Sequence, residues 1–547
     1  MRSSASRLRP STQSSLALLL AMSSLVGCGQ SCSSGGGGDP RTYLAADAPA
    51  LIELVDLAAL PKLRKLVEER FSSIIPPADI VNAQAELRRS LGFDPLTEEG
   101  LAEAGLPPRG RVVGTPHRNG ALWVFPVADA GKARATVERL VQARSTADKT
   151  SSSVKGVKVD IYGRSFGDEM AEVAGFAVTK GLGFLTLGTD ARAQIEAALG
   201  RTRETSILSA PGFAALQGRV AQTELLRVVM PRGAEALRQA AESMRRTGVR
   251  VDARAVEEIA AAAWSLDVAD EGVRAHGFVQ LEEPSLSASK KIFSTKVGLS
   301  DGIRSVDLPA SVLFATMNGE PEALLTQFAP PGSPARRRVS QVIASLGMTD
   351  EADVLARLTG QVGLAMGLGD LADVSFRTLM GNPLSAAWTA IALGVKSPES
   401  FAEVDASMTA KLAERGFEPK TTEIEGQTVT RVHAVGSPET VLVDSFARPG
   451  AVVYANEPAV TQGILGIAPG LDPLQGKPGI SVDLRIGRLS QQLRSFRVES
   501  LPLMFQSMVR RGITGLGLFD SLEARVRPTD DGLTLDARLS LALPADE

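Results

Sequence analysis

The sequence predicts an α+β fold written twice: two tandem related copies, each an antiparallel sheet with helices packed on one face. Three observations carry this. Segments with apolar residues at helical spacing alternate with short runs rich in β-branched residues. Turn dipeptides separate those runs at hairpin distance, which favours antiparallel over parallel pairing. Four segments also recur in the same order at a nearly constant displacement, and a fixed displacement marks an internal repeat.

The recurring segments run as follows. SLGFDPLTEEGLAEAGLPPRGRVVG at 90–114 answers SLGMTDEADVLARLTGQVGLAMG at 345–367. The run at 119–141 answers 384–412, placing Trp123 opposite Trp388. GVKVDIYG at 156–163 answers 426–436, and 262–282 answers 519–541. The body therefore divides into copies at 42–284 and 303–547, joined by a polar Ser/Lys connector over 285–302.

Within the copies, 61–75 and 334–347 read as amphipathic helices. Ser397-Pro398-Glu399 starts another, with Ser as N-cap and Pro in the first turn, and Gly416 ends it. Phe401, Val404, Met408 and Leu412 form its apolar stripe. Strands are expected over 157–162, 172–179 and 184–188. Hairpin turns are expected at Arg118-Asn119-Gly120, Asp270-Glu271-Gly272 and Asp530-Asp531-Gly532.

Ahead of the body stands a targeting pattern. Arg2, Arg7 and Arg9 precede a short apolar run, Leu16 to Met22, with no acid before Asp39. That run is too short to span a ~30 Å hydrocarbon core and has the flanks of a signal peptide. Leu25-Val26-Gly27-Cys28 resembles the lipobox of bacterial lipoproteins. The resemblance implies removal of residues 1–27, acylation at Cys28 with palmitate-type chains, and anchoring to a lipid bilayer. Gly29 in place of Asp implies the outer membrane rather than the inner. Residues 28–41 then form the lipidated cysteine and a Gly/Ser tether, in which Cys32 is a lone thiol. The body itself resembles, in general build, duplicated α+β bacterial envelope proteins of unknown function, a likeness that carries no catalytic residue with it.

Removing the leader takes three arginines and leaves 56 basic against 62 acidic residues. That balance argues against nucleic-acid binding. Chemical motifs are weak. Gly163-Arg-Ser165-Phe-Gly167 fits G-x-S-x-G, with His276 and His433 downstream, but a strand follows where a nucleophile elbow needs a helix. Gly470 to Pro478 has the wrong spacing for a phosphate loop. His117, His276 and His433 are far apart in sequence, so no metal is expected. Glu98-Glu99 after Thr97 reads as helix capping, and Arg336-Arg337-Arg338 as a solvated helix face.

The expectation is thus a non-enzymatic envelope module, without cofactor, that binds or scaffolds a partner. The alternative is a carrier for lipid or other hydrophobic cargo in the crevice between the copies, and the least favoured reading is a serine hydrolase at Ser165. One insertion stands out: six residues join the paired runs in the first copy and eighteen in the second, between Gly367 and Leu384. Its Leu371, Val374, Phe376, Leu379 and Met380 form a candidate interaction loop, either local core or a contact surface.

Overall fold

The computed structural model describes residues 38–71, 77–117, 120–143, 147–166, 169–220, 223, 225–238, 257–269, 271–294, 298–345, 351–369, 371, 386–501 and 503–542. Residues 1–37, Cys28 among them, lie outside them. The chain divides into two compact units, Met1–Glu282 and Glu283–Glu547.

The first unit carries strands β1 (Leu51–Leu54), β2 (Val112–His117), β3 (Gly120–Pro126), β4 (Asp148–Val154), β5 (Val157–Phe166), β6 (Glu169–Thr179), β7 (Leu182–Gly188), β8 (Leu226–Met230), β9 (Ile259–Ala269) and β10 (Gly272–Leu281). They pair antiparallel in the order β4-β5-β6-β7-β3-β2-β1-β8-β9-β10. In the second unit the strands are β11 (Leu313–Asn318), β12 (Leu358–Leu368), β13 (Ala387–Val395), β14 (Glu418–Ile424), β15 (Gln427–Ala434), β16 (Ser437–Arg448), β17 (Ala451–Ala455), β18 (Gly479–Leu484), β19 (Phe519–Pro528) and β20 (Gly532–Leu541). Their order is β14-β15-β16-β17-β13-β12-β11-β18-β19-β20, again antiparallel throughout. The hairpin turns anticipated before Gly120, Gly272 and Gly532 each join two such strands.

Helices cover both faces of each sheet, not one. In the first unit, α1 (Ala59–Phe71), α2 (Pro77–Leu91), α3 (Glu98–Glu103) and α4 (Ala130–Gln142) precede α5 (Ala191–Leu199) and α6 (Phe213–Arg219). Leu122 and Val124 of β3 pack with Ile195 of α5 and Phe213 of α6. The alternate residues Trp123 and Phe125 face Val137 of α4. Successive strand residues point to opposite faces, so an apolar residue at every position of Leu122–Phe125 needs cover on both sides.

The second unit does the same with α7 (Glu283–Ile292), α8 (Asp301–Arg304), α9 (Pro321–Phe328), α10 (Pro334–Ser345), α11 (Glu351–Arg357), α12 (Pro398–Glu414), α13 (Pro458–Gly466), α14 (Ile486–Leu493) and α15 (Leu503–Leu516). Val453 and Ala455 of β17 pack with Ile303 of α8 and Ile464 of α13, whereas Val452 and Tyr454 pack with Phe401 and Val404 of α12.

Three further sequence expectations need correction. The connector at 285–302 is helix over its first eight residues, the end of α7, which buries Leu286 and Ile292 and belongs to the second unit. The tether ends earlier than residue 41, because Asp39 caps a 3-10 turn over Pro40–Tyr43 and Arg41 reaches into the sheet. Trp123 and Trp388 do sit on the third strand of their units, each over a cross-strand glycine, Gly114 and Gly367. They point to opposite faces, however: Trp123 toward α4, Trp388 into the cluster of α8 and α13. Aligning the two tryptophans is therefore a one-residue slip, which in a strand inverts every side chain.

Candidate functional site

Between the first unit's sheet and helices α1–α4 lies an apolar cavity of about 310 Å³. Its floor is Ile52, Trp123, Phe125, Ala174, Leu185 and Leu226, from β1, β3, β6, β7 and β8. Leu60, Leu91, Leu101, Ala133, Val137 and Leu140 of the four helices roof it. Thr97 sets the short helix α3 in place, its Oγ1 accepting from the Gly100 N–H at 3.0 Å, so Glu98 and Glu99 are indeed first-turn residues. Asp129 caps α4, accepting from the N–H groups of Gly131 and Lys132. The lining side chains are hydrocarbon apart from the Trp123 indole N–H and one hydroxyl, that of Thr136, which is 4 % exposed.

The magnitude of this void matters. Packed protein interiors leave few spaces larger than a water molecule. At roughly 24 cal/mol per Å³, filling 310 Å³ with side chains is worth up to about 7 kcal/mol. That is large beside a net domain stability of about 5–15 kcal/mol. Walls of this kind suit apolar molecules, since a dry apolar cavity of even about 150 Å³ takes up benzene.

The equivalent layer of the second unit is filled differently. The fourth residue of α4 is Ala133, and the fourth of α12 is Phe401, which is 4 % exposed. Here Asp405 of α12 faces Ser445, whose Oγ donates to Oδ2 at 3.4 Å; burial raises the Asp405 carboxyl above the usual range. Burial, helped by Asp405, pushes the Tyr454 phenol up as well. Farther along the sheet, a cross-strand row of Ile391, Leu364, Ala315, Val482, Ala524 and Ala537 runs over six strands, and none of these residues is buried.

Fully buried ions in the first unit are structural. Glu53 of β1 pairs with Arg111 at 2.9 Å and Arg227 at 3.3 Å, with Arg41 at 4.0 Å. Asp160 accepts from Ser151 at 2.6 Å and Arg134 at 2.5 Å. Burial would raise the Asp160 carboxyl, but these two donors together hold it below the usual range. In the second unit Asp444 is held by Arg431 and by Thr461 Oγ1 at 2.7 Å.

The sequence-singled residues scatter. Ser165 lies on β5, paired with Met170 of β6, so its motif leads from strand to strand rather than into a helix. His276, on β10, has Nε2 3.0 Å from the Arg219 carbonyl; His433 is on β15 and His117 ends β2. Among the described residues no group of three or more His, Cys, Asp or Glu is placed to hold a metal ion. No helix among them is long and apolar enough to cross a membrane. Of the insertion, Val374, Phe376, Leu379 and Met380 lie outside the described residues. Leu371 is 1 % exposed and packs with Phe496, Val498 and Ile513. Leu371→Ala is expected to cost about 2–5 kcal/mol in urea unfolding; a loss below 1 kcal/mol would show that this residue is not core.

No protein-family model matches the chain, and no curated protein matches it. Among solved structures, crystal form I of TP0453 matches with a TM-score of 0.26 and 8 % identity, over 45 % of this chain and 79 % of that one. Crystal form III of TP0453 gives a TM-score of 0.25 and 10 % identity, over 48 % and 89 %. At these scores the likeness carries no argument about what the cavity holds.

Proposed function

We propose that this chain is a bacterial envelope lipoprotein, anchored through acyl chains on Cys28, whose body binds hydrophobic cargo and catalyses no reaction. The observation that carries the binding reading is the apolar cavity of the first unit. On this reading the cargo site lies inside one unit, where the sequence pointed to the crevice between copies. A duplication origin for the body is supported by the identical order of the ten strands described in each unit. Attachment is supported by the Leu25–Cys28 lipobox, and the outer membrane by Gly29.

The geometry makes the two features work together. Gly38 lies ten residue steps beyond Cys28, which at full extension span about 35 Å. The binding unit is thereby held beside a bilayer, where monomeric lipid is released and taken up. Each methylene transferred from water into the cavity contributes about 0.8 kcal/mol.

One labelling experiment tests both halves. In cells fed radioactive palmitate, the wild-type protein is expected to keep label after solvent extraction, and Cys28→Ala to lose that covalent label entirely. A soluble body starting at Gly38 is expected to carry extractable lipid only. Covalent label on Cys28→Ala would refute the anchor; a body with no extractable lipid would refute the cargo reading.

A further inference from the structure

We propose that the cavity's occupant is a single-chain amphiphile with an anionic head, and that Arg139 binds that head. The inference rests on the cargo reading and adds the chemistry of the ligand. Thr136 supplies the cavity's one hydroxyl, and its Oγ1 accepts a hydrogen bond from Arg139 Nη2 at 3.1 Å. Thr136 is buried, whereas Arg139, one turn further along α4, is exposed. The pair therefore leads from the cavity wall to solvent.

The side chain of Arg139 leaves along a fixed path. A Cβ built on Gly92 would stand 3.9 Å from Arg139 Cβ and 4.0 Å from its Nε. Gly92 lies between Leu91 and Phe93, both in the cavity wall. The guanidinium thus sits at the rim where α4 meets the chain leaving α2.

Its neighbours are already neutralised. Arg88 pairs with Glu103 and Arg89 with Glu86. Among the described residues no carboxylate lies within 4 Å of Arg139, whose only side-chain hydrogen bond is to Thr136. A guanidinium has five N–H donors in a planar fork that matches a carboxylate or phosphate. A cation with unused donors, hydrogen-bonded to the one hydroxyl of an apolar chamber, suits a ligand with a long hydrocarbon tail and a negative end. The volume of about 310 Å³ suits one alkyl chain rather than two.

The test is equilibrium dialysis of labelled palmitate and hexadecanol, equal in chain length and different in head, at pH 8, where the carboxylate is ionised. Wild-type protein is expected to prefer palmitate by about fivefold or more, the scale of one solvent-facing ion pair. Arg139→Gln is expected to weaken palmitate to the level of hexadecanol while leaving hexadecanol unchanged, which also shows that the variant is folded. Equal binding of the two ligands by the wild type, or a preference that survives Arg139→Gln, overturns the head assignment and leaves the cargo reading standing. Binding of neither ligand overturns both.

Discussion

Glu53→Ala is expected to destabilise the first unit by about 3–5 kcal/mol, the cost of breaking a buried ion pair by removing one partner. Glu53 is 0 % exposed in mid-sheet, directly opposite Arg227 on β8 and Val113 on β2. Arg111 and Arg227 lie within 3.3 Å of its carboxylate, and Arg41 brings the N-terminal turn to the same point. Without Glu53, Arg41 and Arg111 are left with Asp39, which Arg41 holds through Nε and Nη2, and Arg227 is left with no carboxylate within 4 Å among the described residues. Burial would raise the Asp39 carboxyl, but its bonds to Arg41 outweigh that and keep it below the usual range. The consequence reaches beyond stability, because this cluster holds the 3-10 turn over Pro40–Tyr43 against the sheet. Urea unfolding of Glu53→Ala beside Glu86→Ala, an exposed partner of Arg89, measures the effect. A Glu53 loss no larger than that of the surface control would mean that the cluster is screened by water and holds nothing in place.

Much of the fold was legible because it is written in local chemistry. Asn119-Gly120 and Asp531-Gly532 mark their hairpins through turn residues that accept unusual backbone geometry, and the strands fall on either side. Ser397-Pro398 and Gly416 bracket α12 for equally local reasons. What the sequence reading missed is which face each residue takes. The run Ala121-Leu122-Trp123-Val124-Phe125 is apolar at every position. Such a run signals a strand covered on both sides, which helices on one face cannot supply, and the pairing of Trp123 with Trp388 is one residue out of register with it.

The cavity was harder to see. Its walls come from segments spread between Ile52 and Leu226, and no motif joins them. A void is a property of what side chains fail to fill, so its sequence trace is small residues at packing positions. Ala133, Thr136 and Ala174 are that trace, and Phe401 at the matching turn of α12 is the contrast that reveals it. Arg139 lacks even that, since an arginine on the outer side of a helix looks like any solvated charge.

Tryptophan fluorescence tests the central claim most directly. The chain has three tryptophans: Trp123 in the cavity wall, Trp264 on β9 at 36 % exposure, and Trp388 buried in the second unit. Bromine quenches an indole it touches, so a bromine-substituted stearate bound in the cavity reports on Trp123 alone. The expected result is a saturable loss of the Trp123 share of the emission, complete near one ligand per chain, and absent in Trp123→Phe. Quenching that does not saturate, or that is the same in Trp123→Phe as in the wild type, would contradict a ligand-filled cavity in the first unit.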